Sequence, residues 1–273
     1  MIRLIDTRYG KMLVRDDDKY VGKYLIEYGE FGWDETESFR NIVKPGMVVL
    51  DVGANIGVHT LLFSKLVGNG GRVFAYEPQP DMFYMLCGNL ALNDIQNVVA
   101  LNKGCGESYS TVGVPRMRLH GEVNNYGSFS LVEKYDHCTD LVEIIPIEQD
   151  CDFMKIDVEE YESRVLRGAA KMIERCRPWI HVENDRSYNA DEVIETVRSL
   201  GYTPYWTPTL LFNPDNFNGN KVNKFLDLCS IDMLCAPPGC TVTGGKEAVK
   251  GNWVEVYPPT VRQETVWHEQ RAA

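Results

Sequence analysis

From residue 47 onward the hydrophobic pattern alternates between short apolar runs and longer stretches of helical period. This alternation restricts the fold more than any other feature of the chain. Residues 47–52 form an apolar run, 57–67 carry a helical apolar pattern, 72–76 a second strand, 81–92 a helix and 98–101 a third strand. The rhythm resumes with a strand at 152–156, a helix over 163–176, a strand at 178–182 and a helix over 190–200 closed by Gly201. Strands at 202–206 and 228–236 follow. Strands that read as apolar runs are buried on both faces, so the pattern predicts an α/β fold with a mostly parallel sheet covered by helices on both sides. Right-handed crossovers make such a sheet doubly wound, with ligands beyond the C-terminal strand ends.

The rest of the chain is arranged around this unit. Residues 1–46 read as an N-terminal β/helix extension. A hairpin turns at Thr7-Arg8-Tyr9-Gly10, and a helix over 35–43 has Phe39, Ile42 and Val43 on one face and stops at Lys44-Pro45-Gly46. Residues 47–236 form the ligand-binding domain. Within it, 104–143 is an irregular or β-rich insertion, and 104–143 and 207–223 are the expected substrate walls. Residues 237–273 read as a polar C-terminal tail. The segment His120-Gly121-Glu122-Val123-Asn124-Asn125-Tyr126-Gly127-Ser128 is rich in hydrogen-bonding groups and suits a sugar or polar metabolite.

Composition narrows the partners. The 273 residues carry a net charge of −11, which repels phosphate backbones and argues against a nucleic-acid footprint. No stretch has the ~18–20 consecutive apolar residues of a membrane helix, and the first residues lack the apolar core of a signal peptide, so a cytoplasmic protein is expected. The eight cysteines form no C-x-x-C pair and read as free thiols.

The chemistry is concentrated in Val48-Val49-Leu50-Asp51-Val52-Gly53-Ala54-Asn55-Ile56-Gly57, a strand that runs into a glycine turn opening a helix. A dinucleotide site calls for G-x-G-x-x-G so that a pyrophosphate can rest on the helix N-terminus. This turn is G-x-x-x-G, with Asn55 at the second glycine position. It also sets Asp51 beside the ligand, and a carboxylate would repel a pyrophosphate by roughly 4 kcal/mol per charge pair at 4 Å near a surface. A donor with a cationic end fits better, and S-adenosylmethionine carries an ammonium, a sulfonium and no phosphate. Glu77, in Tyr76-Glu77-Pro78 at the end of the next strand, is placed to accept hydrogen bonds from a ribose diol. The cofactor-binding set is therefore Asp51, Gly53, Ala54, Asn55, Gly57, Glu77 and Pro78.

This run, with Tyr76-Glu77-Pro78, Lys155-Ile156-Asp157-Val158-Glu159 and Val182-Glu183, resembles the FkbM-type S-adenosylmethionine-dependent methyltransferases over residues 22–237. The approach segment Tyr28-Gly29-Glu30 with Trp33 and Glu35 belongs to the resemblance. It implies a Rossmann-like class I methyltransferase fold, with a seven-stranded sheet whose last strand is antiparallel. It also implies O-methylation of a hydroxyl, on acceptors that range over small molecules and sugars. One position departs from the family pattern. Glu160 stands where Lys-Ile-Asp-Val-Glu-Gly-x-Glu has glycine, which removes backbone freedom from a strand-to-helix turn and adds charge near the substrate mouth.

Asp157, Glu159, Glu160, Glu162 and Glu183 gather at one edge of such a sheet. Methyl transfer needs an acceptor oxygen held in line and relieved of its proton. Asp157 is the first candidate for that role, then Glu183 and His59, with Lys155 to stabilise an alkoxide or hold a carboxylate. A Mg²⁺ ion on Asp157 and Glu183 is the alternative use of the cluster. Plainer roles compete: helix-start preference for Glu160 and Glu162, capping for Asp157, an ion pair with Arg186 or Lys155 for Glu183, and solvent exposure or helix capping for Asn89 and Asn93. The other histidines, His181 among them, read as surface or satisfied core residues. An NAD-dependent oxidoreductase and a catalytically weakened cofactor-binding protein are the alternatives to a methyltransferase.

Overall fold

The computed structural model describes residues 1–115, 131, 140–186, 188–225 and 229–251. A hairpin of β1 (Ile2–Thr7) and β2 (Gly10–Arg15) leads into α1 (Val21–Tyr28) and α2 (Trp33–Ile42). Then come β3 (Val48–Val52), α3 (Val58–Val67), β4 (Arg72–Tyr76), α4 (Pro80–Leu92) and β5 (Val98–Leu101). β6 (Gly104–Cys105), β7 (Ser110–Val114) and β8 (Asp140–Ile145) form a separate small sheet, in the order β6-β8-β7. The main unit continues through β9 (Phe153–Ile156), α5 (Glu162–Gly168), α6 (Ala170–Cys176), β10 (Trp179–Glu183), α7 (Ala190–Ser199), β11 (Thr203–Leu210), β12 (Cys229–Ala236) and β13 (Lys246–Glu247).

The main sheet has the order β13-β11-β12-β10-β9-β3-β4-β5. β10, β9, β3, β4 and β5 are mutually parallel, and β12 runs antiparallel to both β10 and β11. The main sheet therefore has eight strands among the described residues, where seven were expected. The addition is β13, two residues from beyond 237 that pair antiparallel with β11, while Ala248 closes over the edge with no exposed surface. The chain reverses direction across the sheet between β3 and β9. A switch point of this kind opens a crevice at the C-terminal strand ends.

Both faces are covered, which is why β9 is buried along its whole length. One face packs Leu50, Val52, Met154, Ile156, Ile180 and Val182 under α5, α6 and α7. The other packs Val49, Val73, Ala75 and Phe153 under α2, α3, α4 and the hairpin, with Phe39, Leu61, Phe63 and Leu86. The helix expected over 163–176 is two helices joined at Ala169. The join keeps the hydrogen bonds from Ala169 N to Val165 O and from Ile173 N to Ala169 O, and Gly168 beside it packs where a Cβ would collide with the carbonyl of Gly106. Asn93 caps α4 as anticipated, but Asn89 is fully buried rather than solvent-facing. Its side chain accepts from Leu13 N (2.6 Å) and donates to Leu13 O (3.2 Å) and Ile56 O (2.8 Å), tying the hairpin to the glycine turn.

A second tie joins the amino-terminal region to the long β11–β12 connection. Glu30, 2% exposed, accepts from Arg8 Nε (2.5 Å), Asn213 Nδ2 (2.8 Å) and Phe217 N (3.0 Å). Residues 120–128 lie outside the described residues. No helix among those described is long and apolar enough to cross a membrane.

Candidate active site

The glycine turn is built by exclusion. Gly53 adopts φ +84°, and a Cβ there would collide with the carbonyl oxygen of Asp157. Gly57, at φ +92°, would bring a Cβ to 2.6 Å from Leu86 Cδ1. Between them Asn55 takes the left-handed region at φ +50°, which asparagine tolerates better than most residues. Gly53 N and Ala54 N donate to Tyr76 O (2.9 and 3.0 Å), so the turn is anchored to the end of β4.

Glu77 completes that anchor. Asn55 N donates to its Oε2 (2.7 Å) and Gln79 N to its Oε1 (2.8 Å). Each oxygen retains a lone pair for a further donor. Burial raises this carboxyl to about 7, against the two backbone hydrogen bonds that lower it. Asn102 Nδ2 donates to Glu77 O (2.8 Å) and Pro78 O (3.1 Å) and fixes the segment behind it.

Strand register then sets a row of charges on one face. Asp51 pairs with Lys155 and Lys155 with His181, while Glu183 stands opposite Asp232. Paired residues share a face and residues two apart return to it, so all five point to the side covered by α2 and α3. Thr60 Oγ1 donates to Asp51 Oδ2 (2.5 Å), whereas Asp51 Oδ1 is buried without a hydrogen-bond partner among the described residues. Lys155 is 2% exposed and donates to Asp157 Oδ2 (2.9 Å). Burial lowers this lysine's pKa, but Asp157, Asp51 and Glu35 outweigh it and hold the ammonium charged. Asp157 itself opens to the crevice, with 40% of its side chain exposed.

Above this row α2 delivers Glu35. Its Oε2 lies 3.4 Å from His59 Nε2 and its Oε1 lies 3.8 Å from His181 Nδ1. Phe39, one turn along α2, packs edge-on against both imidazoles. Burial and then Asp232 raise Glu35 well above the carboxylate range. Burial and then Lys155 lower both histidines, His181 to about 3, so both imidazoles are neutral. His59 thus faces Glu35, next in the chain to Thr60, which bonds Asp51. Glu35, His181 and Asp232 were not among the residues singled out as site candidates. A strand covered on both faces has no polar alternation to mark His181, and Glu35 lies far from the glycine turn in sequence.

At the mouth, Glu159 (φ +51°) and Glu160 (φ +78°) both take left-handed backbone. Glu160 therefore occupies the conformation that the family's glycine would supply. Glu162 Oε1 accepts from Val158 N (3.3 Å) and Glu160 N (3.2 Å), which makes it a brace for this turn. Arg186 does not pair with Glu183; it holds Glu159 (2.7 Å) and Asp185. Glu183 keeps no ion pair among the described residues, and burial with Asp185 and Asp157 raises it well above the usual range. One oxygen each from Asp157, Glu159 and Glu183 lie within 4.8 Å of one another.

Comparison with known proteins places the chain in a family. Residues 51–204, just over half of the chain, match the Methyltransferase FkbM domain. Among curated proteins, the ribosomal RNA large subunit methyltransferase E of Wigglesworthia glossinidia brevipalpis is 40% identical over 94 residues, covering 32% of this chain and 43% of that protein. The chain thus spans under half the length of this curated relative. Among solved structures, the methyltransferase FkbM from Methylobacillus flagellatus KT aligns at 17% identity and a TM-score of 0.44, over 74% of this chain and 50% of that one. A SAM-dependent O-methyltransferase from Thermotoga maritima aligns at 15% identity and a TM-score of 0.46, over 91% and 78%.

Proposed function

The chain belongs to the FkbM methyltransferase domain family, and on that premise we propose that it transfers a methyl group from S-adenosylmethionine to a hydroxyl of a small polar or glycosidic acceptor. One observation carries the reading. A single carboxylate, Glu77, is bonded to the backbone of both the glycine turn and the β4–α4 turn, and its remaining lone pairs suit the two hydroxyls of a ribose.

The residues fit the donor in two further respects. Asp51 Oδ1, buried and unbonded among the described residues, is an acceptor for an ammonium. Ala54, Asn55 and Gly57 line a turn held to β4, with Pro78 on its far side. When bound, the donor supplies an electrophilic methyl carbon on a sulfonium. Asp157, exposed at the crevice and oriented by Lys155, takes the proton of the acceptor hydroxyl as that oxygen attacks. Glu183 stands second in line for the same proton. Thr60 fixes Asp51, and His59 faces Glu35.

A small acceptor is favoured over RNA by the net charge of −11, which opposes a polyanion. The likeness to a ribosomal RNA methyltransferase makes RNA the comparison to include in any assay. Calorimetry with S-adenosylhomocysteine tests the donor site. Wild type should bind, and Glu77→Ala should bind about 1.5–3 kcal/mol more weakly, the range for hydrogen bonds to a charged group. Absence of binding by the wild type removes the proposal. Methyl transfer to a panel of hydroxylated metabolites, sugars and ribosomal RNA, with and without Mg²⁺, then tests the acceptor class and the Asp157–Glu183 metal alternative. Binding without transfer to any of them would favour a protein that has lost turnover.

A further inference from the structure

Glu35 from α2, His181 from β10 and Asp232 from β12 meet at one buried point. One donor atom from each lies within 4.8 Å of the other two, and Glu35 Oε1 is 3.8 Å from His181 Nδ1. The three residues are 6%, 2% and 4% exposed. Donors about 2.1 Å from a metal stand roughly 3.4 Å apart at tetrahedral angles and roughly 4.2 Å apart when opposed. The observed spacing is that of a ligand set which a small contraction would close around an ion.

A second observation points to the same place. His59 Nε2 is buried, lacks a hydrogen-bond partner among the described residues, and lies 3.4 Å from Glu35 Oε2. It is a donor-capable nitrogen turned toward the same carboxylate. Ser230 Oγ donates to Asp232 Oδ2 (2.7 Å), the type of outer contact that orients a ligating carboxylate. Lys155, the nearby ammonium, forms an ion pair with Asp157 (2.9 Å) and none with Glu35 or Asp232 among the described residues.

We propose that Glu35, His181 and Asp232 bind one divalent transition-metal ion of the Zn²⁺ or Mn²⁺ type, with His59 facing the other oxygen of Glu35. An imidazole in the set disfavours Mg²⁺ and Ca²⁺, which take oxygen ligands. The ion joins α2 to β10 and β12 and fixes the floor of the crevice. The site shares no ligand with the Asp157–Glu159–Glu183 cluster but adjoins it, since Glu183 stands opposite Asp232; the proposal does not rest on the methyltransferase reading.

The test uses the full chain stripped with EDTA and dialysed, titrated with Zn²⁺, Mn²⁺ and Mg²⁺ by calorimetry and followed by thermal melting. One equivalent of Zn²⁺ or Mn²⁺ should bind and raise the melting temperature, with no comparable effect from Mg²⁺. Mn²⁺ separates this site from the exposed thiol of Cys240, because oxygen and nitrogen donors suit it better than sulfur. His181→Gln and Asp232→Asn should each weaken binding by about 100-fold, while Asp157→Asn should retain it. Where a variant fails to fold, the visible spectrum of Co²⁺-loaded wild type decides, since imidazole and carboxylate ligation changes it from that of the aqueous ion. No stoichiometric binding by wild type, an unchanged Co²⁺ spectrum, or loss with Asp157→Asn and not with His181→Gln, would overturn the proposal.

Discussion

Gly53 and the carbonyl oxygen of Asp157 approach so closely that no Cβ fits between them. The β3 turn and the β9 end, the two sides of the switch point, are thereby held in contact through bare backbone. The donor turn and the Asp157 carboxylate share one rigid reference.

Gly53→Ala should therefore cost more than a change of backbone preference. The left-handed φ of +84° costs a substituted residue roughly 1–2 kcal/mol, and the forced separation from Asp157 adds about 1–3 kcal/mol. Gly46→Ala is the control, since φ is +89° but nothing lies within 4 Å. Urea denaturation should show a loss for Gly53→Ala clearly larger than for Gly46→Ala, and only the former should impair S-adenosylhomocysteine binding.

Glu160→Gly should stabilise the protein. At φ +78° glutamate bears a strain of roughly 1 kcal/mol or more that glycine does not, partly offset by the extra freedom of glycine in the unfolded chain. The expected net gain is about 0.5–1 kcal/mol by chemical denaturation. A loss would mean that the contacts of Glu160 with Tyr188 and Arg186 (3.9 Å) outweigh the backbone.

Asn89→Ala should destabilise by about 2–3 kcal/mol, because it leaves backbone groups of Leu13 and Ile56 without their partners. Hydrogen exchange should rise at β2 and at the start of α3 before it rises in β9. Uniform protection loss across the sheet would contradict the local role.

Cofactor affinity should depend on pH through Glu77. Its folded value of about 7 stands above the ordinary 4.5, so the fold holds this proton more tightly than the unfolded chain. The contribution to stability is full below about 4.5 and is lost as pH rises from there through about 7. Ribose hydroxyls prefer the ionised form, so S-adenosylhomocysteine should bind progressively more weakly as pH falls below 7, by up to about tenfold per unit. Glu77→Gln should remove this dependence. A pH-independent wild type would show that Glu77 is ionised throughout.

The sheet was legible because its strands are short apolar runs bounded by glycine and charge. β4 and β5 begin and end where the residues predict. Asp51, Gly53 and Glu77 were legible because the turn and the next strand end are local in sequence. What escaped depends on pairing across long separations. The exchange of position between β11 and β12, the docking of Lys246–Glu247 and the descent of Glu35 onto His59 leave no periodic trace. Asn89 escaped because a polar residue on a helix reads as solvated unless its backbone partners, 33 and 76 positions away, are known. The Ala169 join escaped because the apolar period and the helical hydrogen bonds run through it.

The buried Glu30 carboxylate has a consequence for trimming the chain. Arg8, Asn213 and Phe217 all converge on it, so a cut that removed the first fifteen residues would take away its charged partner. That carboxylate would become an unbalanced charge beneath the connection at 211–223, some two hundred residues downstream of the missing piece. The opening hairpin behaves as a clasp, and shortened versions of this protein should begin upstream of it.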